Sequence, residues 1–169
     1  EINTQYSERF KKFGATPKGV FWVSNARQET RFDLILKEIQ NISPKKTVLD
    51  IADIGCGYGS FADYLFKKLN RSEFKYEGLD INEDLIEHCH RNFLDSNLSF
   101  AVGGKPSSNK DFIIMSGTYN LATTKNVSLW EQYLFDCLSE CWAYTKSAMI
   151  FNLQTSKTRR IGSQNIYYA

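Results

Sequence analysis

The arrangement of this chain is constrained most by a switch between two hydrophobic rhythms. In order, the sequence reads "TVLDIAD", "SFADYLFKKLN", "FKYEGLD", "NEDLIEHCHRNF", "LSFAV", "DFIIMS", "SLWEQYLFDCLSECWAYT" and "SAMIFNL". Short apolar runs bounded by polar residues read as strands, and longer stretches with apolar residues every three to four positions read as helices. The order is therefore strand, helix, strand, helix, strand, strand, helix, strand. Runs such as "FIIM" and "AMIF" are apolar on both faces, as strands are when helices cover a parallel sheet on each side. The predicted fold is α/β: a doubly wound, mostly parallel sheet with flanking helices. Ahead of it, "SNARQETRFDLILKEIQN" places Phe32, Leu34, Ile35 and Ile39 at helical spacing behind a cap at Ser24 or Asn25. "GGKPSSNK", Gly103 to Lys110, reads as a flexible surface loop. One structural domain is expected, with residues 1–45 as an N-terminal helical lid and 46–169 as the sheet domain.

With 42% apolar residues in 169, the chain can bury one substantial core. A formal charge of +2 and the lack of a Lys/Arg-rich block argue against a nucleic-acid partner. Cys56, Cys89, Cys137 and Cys141 show no C-x-x-C spacing, which suggests a reducing compartment, and a cytoplasmic location is expected. No apolar stretch reaches the eighteen residues of a membrane span.

"DIGCGYGSF" follows the first predicted strand and puts Gly55, Gly57 and Gly59 just after Asp53. In a doubly wound sheet this turn lies at the carboxyl edge, where ligands bind. Glycines let the backbone turn tightly and approach a ligand, and the free N–H groups of the next helix face the pocket. Asp53 chooses among ligands. It would repel a pyrophosphate, and it suits S-adenosylmethionine, which carries an ammonium and a sulfonium and no phosphate. Asp80 ends the strand "FKYEGLD", where a carboxylate can accept hydrogen bonds from both ribose hydroxyls. A nicotinamide-dependent oxidoreductase could cite Gly55, Gly57 and Ser60 as a loose glycine fingerprint, but Asp53 opposes it.

Through "VLDIADIGCGYGSFADYL", "YEGLDINEDLIE" and "DFIIMSGTYNL", the sequence resembles the class I S-adenosylmethionine-dependent methyltransferases, a Rossmann-like family, and within it a bacterial subgroup of unknown substrate. The resemblance covers most of Thr47 to Leu153. It implies that Asp53, Gly55 and Gly57 meet the methionine end of the cofactor, Asp80 its ribose, Ile81 the adenine face, and that Ser116 lies near the sulfonium. Two departures stand out. Many members carry an acidic residue after the third strand for the adenine amino group, where this chain has Gly103 and Gly104. The family also closes with an antiparallel pair beyond the fifth strand, and the expectation is that this pair is cut from the present sequence, which stops at "NIYYA".

Methyl transfer is an in-line displacement at an activated carbon, so positioning can supply much of the acceleration. Tyr119 and Asn120 are the candidate catalytic residues, Asn120 being alternatively a loop tie. Asn152 and Trp22 are candidates on the substrate side. Tyr6, Phe10, Phe13, Phe21 and Trp22 make the leader aromatic enough to cover the cofactor. "EHCH" does not make a metal site, because residues two apart on a helix diverge. Leu129, Tyr133, Leu134, Cys137, Leu138 and Cys141 read as ordinary core. The leading function is methyl transfer to an oxygen or nitrogen of a small-molecule acceptor, and the alternative is a non-catalytic S-adenosylmethionine-binding module.

Overall fold

The computed structural model describes residues 2–21 and 24–169. Five parallel strands form its centre: β1 (Leu49–Ile54), β2 (Phe74–Asp80), β3 (Leu98–Val102), β4 (Lys110–Met115) and β5 (Thr145–Phe151), in the spatial order β3-β2-β1-β4-β5. Every neighbouring pair is parallel. Helices α2 (Asn25–Ile42), α3 (Ser60–Lys68) and α4 (Glu83–Asn92) cover one face, and α5 (Val127–Trp142) covers the other. The doubly wound expectation holds.

Strand side chains alternate between two cores. Ile51, Tyr76, Phe112 and Ile114 point into the first with Phe32, Ile39, Phe61 and Ile86. Ala52, Ile54, Leu79, Ile113 and Met115 point into the second with Trp130, Leu134 and Cys141. A fully buried residue of the size of Ile51 contributes about 1.5–3 kcal/mol. Side-chain caps start the helices: Ser24 Oγ accepts the Arg27 N–H at 3.3 Å, Asn82 Oδ1 that of Leu85 at 3.1 Å, and Asn126 Oδ1 that of Leu129 at 3.2 Å. The face of α2 is turned slightly from the one read in the sequence. Leu36 is buried and Leu34 is 59% exposed, because Phe32, Leu36 and Ile39 follow the stripe that Leu34 leaves.

The leader contains a helix of its own, α1 (Ile2–Phe13), followed by a 3₁₀ turn at Pro17–Val20. Arg9 ties the two together, donating from Nε to Lys18 O at 2.6 Å while its guanidinium lies 4.4 Å from the Phe21 ring.

One expectation needs correction. The β3–β4 connection is a surface segment without slack. Val102 pairs with Asp80, at the upper level of the sheet, whereas Lys110 begins β4 at the bottom, three strand positions away. Spacings of about 4.8 Å between strands and 3.3 Å per residue along them give a separation of roughly 24 Å. Eight peptide steps reach at most about 29 Å. The segment is thus a nearly taut strap with no crossover helix, held by buried Pro106, by the Ser107 N–H to the Glu77 carboxylate at 3.2 Å and by Cys141 Sγ to Gly104 O at 3.5 Å. Glu77 in turn pairs with Lys110 at 3.1 Å.

At the C-terminal end the main sheet stops at β5, and the closing pair expected of the family is not part of it. An antiparallel pair lies within the sequence, as β6 (Arg160–Ile161) and β7 (Tyr167–Tyr168). It forms its own two-stranded ladder, apart from the main sheet and bridged to it by Leu121–Ile166 and Gln154–Tyr168. The strands are too short for the period-2 signal to show. The turn between them is marked only by Gly162 and Asn165, the latter at φ +60°.

Candidate active site

The chain leaves β1 at Ile54 and turns through Gly55 to Gly59 into α3. The N–H groups of Gly55 and Cys56 both donate to Leu79 O, at 2.7 and 3.0 Å, which pins the turn to the end of β2. Gly57 N–H donates to one Asp80 carboxylate oxygen at 3.0 Å, and Asn82 N–H to the other at 2.9 Å. Gly55 and Gly57 have φ of +77° and +59°, a region that side chains with a Cβ enter at a cost. A Cβ on Gly55 would also stand 2.8 Å from the Thr118 side chain.

Asp53 lies under this turn, buried, and accepts the Tyr76 hydroxyl at 2.7 Å. Burial pushes its carboxyl up to about 7; the Tyr76 hydrogen bond pulls it back, and the Asp80 charge adds to the rise. Burial likewise raises Asp80, against the pull of its backbone hydrogen bonds. Two carboxylates thus share a cavity whose lining, among the described residues, contains no lysine, arginine or histidine. That arrangement favours a ligand with a positive charge.

The sign of the pH dependence follows. Because the folded-state value of Asp53 is raised above its unfolded value, its contribution to stability is present below about pH 4 and is lost as pH rises through about 7. A cationic ligand reverses the balance, since it needs the ionised form. Affinity for a ligand bearing an ammonium is expected to fall by up to about tenfold per pH unit below 7, measured by calorimetric titration between pH 5.5 and 8.5. A flat profile would separate Asp53 from the ligand.

The cavity, of about 170 Å³, opens at the carboxyl edge of the sheet. Of the residues read from the sequence, Asp53, Gly55, Gly57, Asp80, Ile81, Ser116 and Tyr119 line it. Gly59 does not: it caps α3 at φ +83° and backs onto Phe93. Asn120 and Asn152 act as ties. Asn120 Oδ1 accepts the Gln154 N–H at 3.2 Å and its carbonyl accepts the Tyr167 N–H at 2.8 Å, while Asn152 Oδ1 accepts the Gly117 N–H at 3.0 Å. Trp22 lies outside the described residues.

Further residues line the cavity. Gln28 is buried, donating from Nε2 to Ser60 Oγ at 3.0 Å and accepting the Tyr58 hydroxyl at 3.3 Å. The α5 stripe was assigned wholly to the core, yet Tyr133 and Cys137 flank the cavity, Leu129 is 62% exposed, and Trp130 takes the buried position. Leu134, Leu138 and Cys141 are buried as the spacing predicts, while Trp130 replaces Leu129 in the core. In "EHCH" the three side chains separate: His88 meets the Phe10 ring edge-on at 5.3 Å, Cys89 enters the core, and His90 Nε2 sits 2.8 Å from Phe100 O. Among the described residues no cluster of three or more metal-binding side chains occurs.

A parallel sheet in the order 3-2-1-4-5, an acid-led glycine turn after β1 and a carboxylate at the tip of β2 define the class I methyltransferase architecture. The chain belongs to the methyltransferase domain family, whose model matches residues 51–147. It is 25% identical over 121 residues to Rv1506c of Mycobacterium tuberculosis, a candidate methyltransferase, covering 70% of this chain and 72% of that protein. Similar folds occur in the magnesium protoporphyrin IX methyltransferase ChlM of Synechocystis PCC 6803, solved with bound S-adenosylhomocysteine (TM-score 0.64, 14% identity, 93% of this chain and 70% of that one), and in the plantazolicin methyltransferase BpumL (0.58, 18%, 90% and 60%). The CurJ carbon methyltransferase matches at 0.58 with 18% identity over 75% of this chain, which spans only 35% of CurJ.

The family's methyl donor is S-adenosylmethionine, and the residues present fit it. Asp53 is buried and Asp80 partly buried, neither meets a basic side chain in the cavity among the described residues, the glycine turn leaves the backbone open, and Ser116 Oγ is buried with no hydrogen-bond partner. Asp80 would hold the ribose, and Asp53 with the glycine turn the methionine end.

Proposed function

We propose that this chain catalyses methyl transfer from S-adenosylmethionine to an oxygen or nitrogen of a small-molecule acceptor, by in-line displacement, with residues 1–45 as a cap whose leader, ahead of α2, acts as a lid over the site. The observation that carries the reading is the pair of carboxylates, buried Asp53 and partly buried Asp80, at the mouth of a glycine turn in a cavity that no cationic side chain lines among the described residues. When bound, the cofactor supplies a methyl carbon already activated by its sulfonium.

The side chains do the rest by placement. Tyr119 is buried beside the cavity, and burial holds its phenol far above the usual value, so at neutral pH it donates a hydrogen bond rather than accepting a proton. Asn120 and Asn152 keep the loop after β4 in place, and through it Tyr119 and Ser116. Trp22 belongs to the proposed acceptor wall. With Asp53 and Asp80 assigned to the cofactor and no histidine or lysine among the described lining residues, an acceptor proton leaves to water and the rate follows the ionisation of the acceptor itself. A cytoplasmic setting agrees with four free cysteines, and among the described residues no helix is long and apolar enough to cross a membrane. The test is a screen of candidate acceptors for S-adenosylhomocysteine release. Cofactor binding without release for any oxygen or nitrogen acceptor would favour the non-catalytic binding module.

The lid reading rests on how α1 docks. Asn3 Nδ2 donates to Ile81 O at 3.1 Å, Asn82 Nδ2 donates to Asn3 O and Ser7 Oγ at 3.0 Å each, and Tyr6 and Val20 line the cavity. These few polar contacts hold an otherwise exposed helix, which makes local opening cheap. Amide exchange across residues 3–21 is expected to slow when S-adenosylhomocysteine is added. Equal protection with and without it would reduce the segment to permanent cover.

A further inference from the structure

Asn82 stands just past the tip of β2, is 3% exposed, and has every one of its polar groups engaged. Its backbone N–H donates to the Asp80 carboxylate at 2.9 Å, and its carbonyl accepts the Ile86 N–H at 3.2 Å. Its Oδ1 accepts the Leu85 N–H at 3.1 Å, which caps α4. Its Nδ2 donates twice into the leader, to Asn3 O and to Ser7 Oγ, at 3.0 Å each. One buried residue thus joins the carboxylate of the site, the start of α4 and α1. Other contacts between α1 and α4 lie further out: Lys11 pairs with Asp84 at 3.6 Å with both side chains exposed, and Phe10 meets the His88 ring edge-on at 5.3 Å. An exposed pair of that kind adds little.

We propose that Asn82 is a positioning residue that latches the leader shut in response to a ribose held at Asp80. The inference rests on the readings that Asp80 holds the ribose and that the leader is a lid. α1 brings Tyr6 into the same cavity as Asp80, and the Tyr6 phenol is pushed up to about 12 by burial and by the Asp80 charge, against the pull of Arg9. Covering a carboxylate is costly while its lone pairs lack donors. The Gly57 and Asn82 N–H groups take one site on each Asp80 oxygen, and the second site on each can take a ribose hydroxyl. The ribose therefore favours the covered state over the open one, and a ligand shifts such a balance only through a difference of this kind. Asn82 is where the shift reaches the leader. A carboxylate held from both sides fixes the Asn82 backbone, and with it the direction of the two donors that grip α1.

The experiment follows amide exchange across residues 3–21 with and without saturating S-adenosylhomocysteine, in the wild type, Asn82→Ser, Asn82→Asp and Asp80→Ala, and times dissociation of the ligand in parallel. Serine and aspartate each keep an oxygen to cap α4 and the backbone N–H to Asp80, and each loses the two donors to α1. With two such variants, one that fails to fold does not decide the result. In the wild type the ligand is expected to slow exchange of the leader by about fivefold or more. In both Asn82 variants the leader should exchange equally fast with and without ligand while residues 60–68 stay protected, and the ligand should leave roughly five- to tenfold faster. Asp80→Ala saturated with ligand should likewise fail to slow the leader, although Asn82 keeps its side chain. A residue that merely held α1 in place would raise exchange in both states and preserve the difference between them. Ligand-dependent protection of the leader in a folded Asn82 variant, or in Asp80→Ala, would overturn the latch while leaving the lid and cofactor readings standing. A wild-type leader indifferent to bound ligand would overturn the lid and the latch with it, and failure of the wild type to bind S-adenosylhomocysteine at all would overturn the cofactor reading as well.

Discussion

Gly57→Val is expected to abolish measurable cofactor binding, raising the Kd for S-adenosylhomocysteine by 100-fold or more. Two costs combine. Valine would have to adopt φ near +59°, which is strained by about 1–2 kcal/mol or more for a β-branched residue. Its Cβ would stand 3.5 Å from Val20 Cγ1, so the branch methyls would fill the space that the open backbone leaves between the turn and the leader. The first cost acts on stability, and the second on the ligand. Gly59→Val is the informative contrast, since its Cβ would lie 2.5 Å from the Phe93 ring and outside the cavity. That variant should lose melting temperature, while any folded fraction keeps its affinity. A Gly57→Val protein that melts cooperatively and binds normally would remove the turn from the site.

Asp80→Ala comes next in size, with binding weaker by roughly 1.5–3 kcal/mol, or about 10- to 150-fold. The carboxylate has a double duty. It caps the backbone N–H groups of Gly57 and Asn82, and its remaining lone pairs face the cavity. Alanine therefore removes the ribose acceptor and also leaves two N–H groups to find water. Asp80→Asn, which keeps one acceptor oxygen, should recover part of the loss. An unchanged Kd in Asp80→Ala would mean that the ribose lies elsewhere.

The sheet was legible because its signals are local. "FIIM" has no polar face to hide, and "DIGCGYG" cannot be mistaken for the middle of a helix. Asp53, Asp80 and the turn glycines could be placed for the same reason: their roles follow from the ends of elements. The rest depended on what happens between elements. Nothing in the sequence tells that Asn120 would spend its side chain on the Gln154 backbone, because the partner is 34 residues away. Trp130 and Tyr133 sit on a helix whose apolar residues outnumber its core positions, so periodicity alone could not say which ring faced the core and which the cavity. α1 is polar over most of its length, and what fixes it is side-chain bonding to Asn82 and Ile81. "GGKPSSNK" looks slack by composition, and only the strand order reveals how far it has to reach.

That last point bears on how the chain tolerates changes in length. A strap stretched to within a few ångströms of its limit treats insertions and deletions unequally. One residue added between Gly103 and Asn109 merely loosens the crossing, and a longer graft could lay a helix over the bare side of β3, where Ser99 and Ala101 are exposed. One residue removed leaves at most about 25 Å of contour for a span of roughly 24 Å, so the strap must run fully extended and any relaxation has to come from unpairing Val102 from Asp80 or Lys110 from Thr145. The first of these lies at the Asp80 carboxylate and the second beside the Lys110–Glu77 ion pair, so a deletion in this outwardly featureless segment would be felt at both ends of the sheet.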